Sequence, residues 1–189
     1  MRSSSHASST KGQWCGHWFR RAIHVSMAAI PFLYYHYAKQ TPWLLLGALL
    51  LVALLEFFRL RFKFVFFGQR EYEQRKISAF AWGMAGIILV LGFSPAPAYS
   101  IAIIVSCALG DPLIGELRRF TTKKWLINLI GCLCVMLVWL VCALAFGLSP
   151  WLVLFLPILT VFAEQIDLPW IDDNALMLLL PLLAILLVI

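Results

Sequence analysis

The sequence predicts an all-α, polytopic membrane protein with about seven transmembrane helices and a cytoplasmic N-terminus. Three observations carry that expectation. Of 189 residues, 62% are hydrophobic and only 13% charged, against roughly 45–50% and 25% in soluble domains. The mean hydropathy is +0.89. The Lys and Arg residues gather in alternate connections between the apolar segments, the pattern left when bases stay on the cytoplasmic side. At roughly 20 apolar residues per span, the chain holds one bundle and no separate soluble domain.

Residues 1–19 are Ser-rich and polar with no apolar stretch of the secretory type, and read as a disordered cytoplasmic tail. Residues 20–189 form a single transmembrane bundle of seven apolar segments: 22–38, 42–57, 79–94, 98–115, 125–147, 150–163 and 175–189. Charged or Pro/Gly breaks separate them, and the shorter ones must tilt or extend into their loops. Within the fourth, Gly110-Asp111-Pro112 predicts a broken helix, because Pro112 cannot donate the next helical hydrogen bond. Irregular backbone at that depth requires a polar cavity, which Asp111 would line.

Of the 15 Lys and Arg residues, only Lys39 falls on the face opposite the tail. All nine acidic residues share the basic face: Glu56, Glu71, Glu73, Asp111, Glu116, Glu164, Asp167, Asp172 and Asp173. Topology does not demand this, since acids contribute little to orientation. Acids and bases collected on one face point to a site for something both anionic and metal-bound.

Composition also excludes classes. A net charge of +6 and a pI near 9.3 reflect basic loops, and nucleic acid is not an expected partner. Four of five cysteines lie inside apolar runs, where they act as small hydrophobes. Cys132 and Cys134 point about 200° apart around a helix and lack partners for a metal or redox site. The chain contains no phosphate-binding Gly-Lys loop, dinucleotide fingerprint, zincin motif or serine-hydrolase elbow. Nor does it contain an internal repeat of the transporter kind.

Four clusters carry candidate chemistry. Arg20-Arg21-Ala22-Ile23-His24 places Arg20 and His24 one helical turn apart, facing one pocket. Glu56 and Arg59 share a helix face at i, i+3, as a structural ion pair or a functional acid at the edge of hydrocarbon. Asp111, in Gly110-Asp111-Pro112 with Gly115 following, is a hard oxygen ligand suited to Mg²⁺ shared with substrate phosphates. Glu164, Asp172, Asp173 and Asn174 offer further oxygens and an amide at the mouth of the last span, where the Asp pair also reads as an N-cap. The stretch Arg59-Leu60-Arg61-Phe62-Lys63-Phe64 reads as an interfacial segment whose bases snorkel.

Taken in order, these clusters resemble the CTP-dependent lipid-alcohol kinases, the dolichol, phytol and CTP-using diacylglycerol kinases, which are similar in turn to phosphatidate cytidylyltransferases. That family carries Arg-Lys-x-x-His, Glu-x-x-Arg, Gly-Asp followed by Gly, and a late Glu followed by Asp-Asn and Pro. The corresponding residues are Arg20, Arg21 and His24; Glu56 and Arg59; Gly110, Asp111 and Gly115; and Glu164, Asp173, Asn174 and Pro181. Arg21 stands where the family has Lys, and Trp125–Gly131 lacks the family's hydroxyl- and acid-bearing stretch.

The resemblance implies a Mg²⁺-assisted transferase that phosphorylates a membrane lipid alcohol, a polyprenol, phytol or diacylglycerol, with CTP as phosphoryl donor. It implies His24, Glu56 and Asp173 as catalytic candidates, and Asp111, Glu164, Asp172 and Asp173 as metal ligands. Arg20, Arg21, Arg59, Arg118, Arg119, Lys123, Lys124 and Asn174 would then bind nucleotide phosphates. The active face would be cytoplasmic, in a bacterial plasma membrane or in endoplasmic reticulum or plastid. Cytidylyl transfer to phosphatidate and a non-catalytic, anion-binding membrane protein or transporter are the alternatives.

Overall fold

A computed structural model describes residues 11–37, 42–69, 71–168 and 170–188. Residues 1–10 of the expected tail, with Arg2, Lys39 and Arg70, lie outside the described residues.

The described chain is helical throughout its ordered elements. α1 (Gln13–Ser26) passes through a 3-10 turn (Met27–Ala29) into α2 (Ile30–Tyr37) without leaving helical backbone angles. There follow α3 (Pro42–Phe62), α4 (Ala79–Phe93), α5 (Pro97–Phe120), α6 (Lys124–Phe146), α7 (Pro150–Gln165) and α8 (Asp173–Val188). With α1 and α2 counted as one, seven rods match the seven apolar segments. Pro97 and Pro150 sit in the first turns of α5 and α7, where a missing N–H costs nothing. Gly147 closes α6 in the left-handed conformation, at φ 69°.

Three helices are long and apolar enough to cross a membrane: Trp43–Phe62, Pro97–Phe120 and Lys124–Phe146. The 24 residues of α5 extend about 36 Å at the helical rise, against roughly 30 Å of hydrocarbon. α4, α7 and α8, of 15, 16 and 16 residues, reach only about 22–24 Å.

α5 is the central helix. Of its most apolar stretch 67% is buried, against 11% for α3, which packs chiefly on α4 at the periphery. Ile103, Ile104 and Cys107 of α5 meet Val135 and Trp139 of α6 and Met177 of α8 in the buried centre.

The structure differs from expectation at three places. Residues 13–19, assigned to a disordered tail, belong to α1. Their start is held by paired main-chain bonds: Lys11 N–H donates to the Gln69 carbonyl at 2.9 Å and Gly68 N–H to the Lys11 carbonyl at 3.0 Å. Gly12, at φ 92°, lies so close to the Phe67 ring that a Cβ would overlap it.

Second, α5 runs unbroken through Gly110-Asp111-Pro112 to Phe120. Pro112 removes one helical bond, but α5 is packed by other helices on several sides and stays helical across the gap. The Arg21 guanidinium also donates to the Asp111 carbonyl at 3.4 Å.

Third, Arg59 is committed to the fold. Its Nε and Nη2 donate to Glu56 at 2.9 and 2.7 Å, and Nη2 also to the Lys76 carbonyl. Nη1 donates to the carbonyls of Glu73 at 2.8 Å and Phe64 at 3.3 Å. All five of its N–H groups are thereby used, leaving none for the nucleotide phosphate expected of it. The Glu56 carboxylate is equally occupied, because it also accepts from Ser78 N–H at 2.6 Å and Ser78 Oγ at 3.1 Å. Ser78 in turn caps α4 by accepting from Ala81 N–H at 3.1 Å. Glu56 and Arg59 are thus the rivet that fastens residues 63–78 to the end of α3, and the catalytic role expected of Glu56 gives way to this one.

Replacing Arg59 by Met therefore unfolds the 63–78 segment first. Because one partner of a buried pair is left alone, the expected cost is roughly 3–5 kcal/mol. Thermal melting in detergent and early protease cleavage between residues 63 and 78 measure it, and a variant melting like the parent would contradict the assignment.

Candidate metal centre

Asp111 sits nine residues before the end of α5, about 14 Å along the helix. At that depth it meets the last turn of α7 and the first of α8. One carboxylate oxygen each from Asp111, Glu164 and Asp173 lie within 4.8 Å of one another. Glu164 is the penultimate residue of α7 and Asp173 the first of α8, so three helix positions far apart in sequence share one small volume.

Asp172, expected as a fourth ligand, lies outside the three-carboxylate group and caps α8. Its carbonyl accepts from Ala175 N–H at 3.1 Å, and its Oδ1 accepts from Asn174 N–H at 3.2 Å and Asn174 Nδ2 at 2.7 Å. A side-chain acceptor on the second helical N–H is the N-cap geometry; Asp173 Oδ1 accepts from the same N–H at 2.9 Å, so Asp173 serves both the helix start and the carboxylate cluster.

Cations surround the cluster. Arg118 donates to Glu164 Oε2 at 2.7 Å, and the glutamate side chain is almost wholly buried. Arg21 Nη1 stands 3.6 Å from Asp111 Oδ2 and its Nε 3.4 Å from Glu116. His24 Nδ1 is 3.5 Å from Asp111 Oδ2, while its Nε2 lies 3.3 Å from the Cys107 carbonyl. Gly115 admits Arg21 to this place: a Cβ there would overlap the guanidinium.

Among the other expected phosphate ligands, Arg20 pairs with the buried Glu73 at 3.1 Å. Arg119 pairs with Glu116 at 3.1 Å and covers the Trp14 ring at 4.9 Å, on the outer side of α1. Lys123 and Lys124 are exposed at the start of α6.

Sequence reasoning missed His17, which pairs with Glu116 at 2.8 Å. The signal was present, since residues 17, 20, 21 and 24 follow helical spacing and form one basic face of α1. His17, Arg21 and His24 of that face meet Glu116 and Asp111 of α5, while Arg20 pairs with Glu73.

Beside the cluster, rather than at Asp111 itself, a cavity of about 240 Å³ opens between α1, α4 and the 66–69 segment. Arg20 and His24 line it together, as their spacing predicts, with Asn174 on the far wall. Asn174 is 4% exposed, and with its amide nitrogen committed to Asp172 its Oδ1 is buried without a hydrogen-bond partner.

The donor set fits a hard divalent cation. Three carboxylates with no thiolate or imidazole among them suit Mg²⁺, Mn²⁺ or Ca²⁺ rather than Zn²⁺. Opposite oxygens of a six-coordinate Mg²⁺ stand roughly 4.2 Å apart, close to the span of this cluster.

Fold and site thus define a helical bundle with a carboxylate cluster and arginines set into one charged end. Compared with protein-family models, curated proteins and solved structures, the chain finds no match.

Gly115→Ala tests the arrangement. The added methyl displaces the flexible end of Arg21, so one cation leaves Asp111. Mn²⁺, followed by its paramagnetic resonance, should then bind severalfold tighter. Melting without metal should fall, because Asp111 and Glu116 lose Arg21 while Ala returns only about 1 kcal/mol of helix propensity. Unchanged Mn²⁺ affinity would show that Arg21 does not set the charge of the cluster.

Proposed function

We propose that this protein is a Mg²⁺-assisted lipid-alcohol kinase that transfers the γ-phosphoryl group of CTP to the hydroxyl of a long-chain membrane lipid. In this reading the seven rods cross the membrane, the N-terminus is cytoplasmic, and the charged end faces the soluble nucleotide. The observation that carries it is the meeting of Asp111, Glu164 and Asp173 within 4.8 Å, flanked by Arg21 and Arg118 and adjoining an apolar cavity. Lipid on one side and a triphosphate on the other fit that placement.

The chemistry needs mainly positioning and charge neutralisation. The substrate hydroxyl oxygen forms a bond to the γ-phosphorus, the bond from that phosphorus to the β–γ bridging oxygen breaks, and CDP leaves. Bound Mg²⁺ supplies charge neutralisation at the phosphates. Asp111 and Glu164 would hold it, and Asp173, next in sequence to the cavity-lining Asn174, would receive the hydroxyl proton. Arg21 and Arg118 offer N–H donors to phosphate oxygens. His24 supports Asp111 from the cavity side.

Purified protein given γ-labelled CTP, Mg²⁺ and a panel of lipid alcohols should place the label in lipid. Label in pyrophosphate would instead identify cytidylyl transfer, and no turnover with any lipid or nucleotide would remove the kinase reading.

Asp111→Asn keeps shape and removes charge. Losing several kcal/mol of charge stabilisation, at about 1.36 kcal/mol per tenfold, should slow turnover by about a hundredfold or more while melting is retained or rises. A stable variant of near-normal activity would take Asp111 out of the site.

A further inference from the structure

Phosphoryl transfer makes no use of the surface where α3 ends. α3 closes in a Schellman turn: Phe64 N–H donates to the Arg59 carbonyl at 3.0 Å and Lys63 N–H to the Leu60 carbonyl at 3.3 Å. The residue that such a turn holds in the left-handed conformation is usually glycine, and here it is Lys63, at φ 54°. A long basic side chain thus stands where none would be easier to place. Gln74 Nε2 donates to the Lys63 carbonyl at 3.0 Å, and the Arg59 rivet draws the Lys76 carbonyl to the same helix end. Lys63, Arg75 and Lys76 therefore join Arg61 around the last turn of α3.

All four cations are exposed, and among the described residues none of them meets a carboxylate. The described acids of this region are engaged elsewhere, Glu56 with Arg59 and Ser78 and Glu73 with Arg20. Beside the cations runs a chain of phenylalanine rings in contact: Phe57 with Phe58 at 5.8 Å, Phe58 with Phe62 at 6.2 Å, and Phe62 with Phe64 at 6.4 Å. These rings are 47 to 63% exposed. Exposed cations alone suit any anion; rings this exposed beside them suit an anion that carries hydrocarbon.

We infer that the end of α3 and residues 63–76 form a docking platform for anionic phospholipid. Arg61, Lys63, Arg75 and Lys76 lie on the headgroup phosphates, and the phenylalanine chain enters the adjoining acyl layer. Each basic side chain at such a surface strengthens binding about fivefold, an attraction that salt weakens. The platform rests on the membrane-spanning arrangement and not on the kinase chemistry, since it needs no nucleotide, metal or lipid alcohol.

The test titrates the full chain in nonionic detergent, without nucleotide or metal, with phosphatidylglycerol or phosphatidylcholine. Native mass spectrometry counts bound lipid, and chymotryptic cleavage between residues 63 and 78 reports the segment. Phosphatidylglycerol should bind about tenfold tighter or more, and should slow the cleavage because a ligand of the folded segment stabilises it. Lys63→Gln with Lys76→Gln should weaken phosphatidylglycerol about twentyfold, and Lys123→Gln with Lys124→Gln, equal in charge removed, less than about threefold. Lys63→Gly separates lipid binding from helix ending. Glycine relieves the left-handed backbone, so this variant should melt no lower than the parent without lipid, yet bind phosphatidylglycerol about fivefold more weakly. Equal loss in the two lysine pairs, equal affinity for the two lipids, or unchanged binding by Lys63→Gly overturns the inference. Displacement of the bound lipid by CTP also overturns it, and assigns these cations to the nucleotide. A platform upheld in a protein that phosphorylates no alcohol overturns the kinase alone; an active kinase without this binding overturns the platform alone.

Discussion

A carboxylate about 14 Å inside the end of the most buried helix must be compensated, and much of the bundle is organised around that requirement for Asp111. An unpaired charge at such depth is expensive in hydrocarbon. α1 answers it with Arg21 and His24, and the pairing extends outward through Glu116 with Arg21, His17 and Arg119. The close contact of α1 with α5 is therefore electrostatic at the charged end. At the other end α2 meets α5 through a hydroxyl pair, Tyr35 with Ser100 at 2.6 Å.

The same requirement explains the unequal helix lengths. Had α7 and α8 been as long as α5, Glu164 and Asp173 would lie at the surface and Asp111 would face their apolar sides. Because they are about a third shorter, the end of α7 and the start of α8 lie at the level of Asp111. Three like charges are then brought together, which is unfavourable unless a cation or arginines sit between them. Arg118 on Glu164 and Arg21 beside Asp111 supply part of that balance.

Much of this was legible in the sequence. Hydropathy located the rods, loop charge located the charged end, and Asp111, Glu164 and Asp173 stood out because carboxylates are rare beside apolar runs. What was not legible depended on main-chain paths. Three of the five acceptors of Arg59 are carbonyls of Phe64, Glu73 and Lys76, and no side-chain pattern announces a carbonyl. Asp172 and Asp173 are chemically identical and both accept from Asn174 N–H, yet only Asp173 also meets Asp111 and Glu164. Pro112 misled because its effect on a helix depends on what packs around it. Gly115 was read as part of a motif, whereas its role is the room it leaves for Arg21.

One consequence concerns the two leaflets. The described Asp, Glu, Lys and Arg side chains all lie at one end of the bundle, and the opposite turns carry none among the described residues. In the proposed membrane-spanning arrangement, turning the bundle over would drag those groups through hydrocarbon at roughly 2.5–3.5 kcal/mol each, which keeps each end on its own side. Under the proposed function, a lipid leaving the carboxylate cluster would then be delivered to the adjoining monolayer. A phosphorylated lipid would be held there by its own charge, and its appearance in the other monolayer would require a separate carrier.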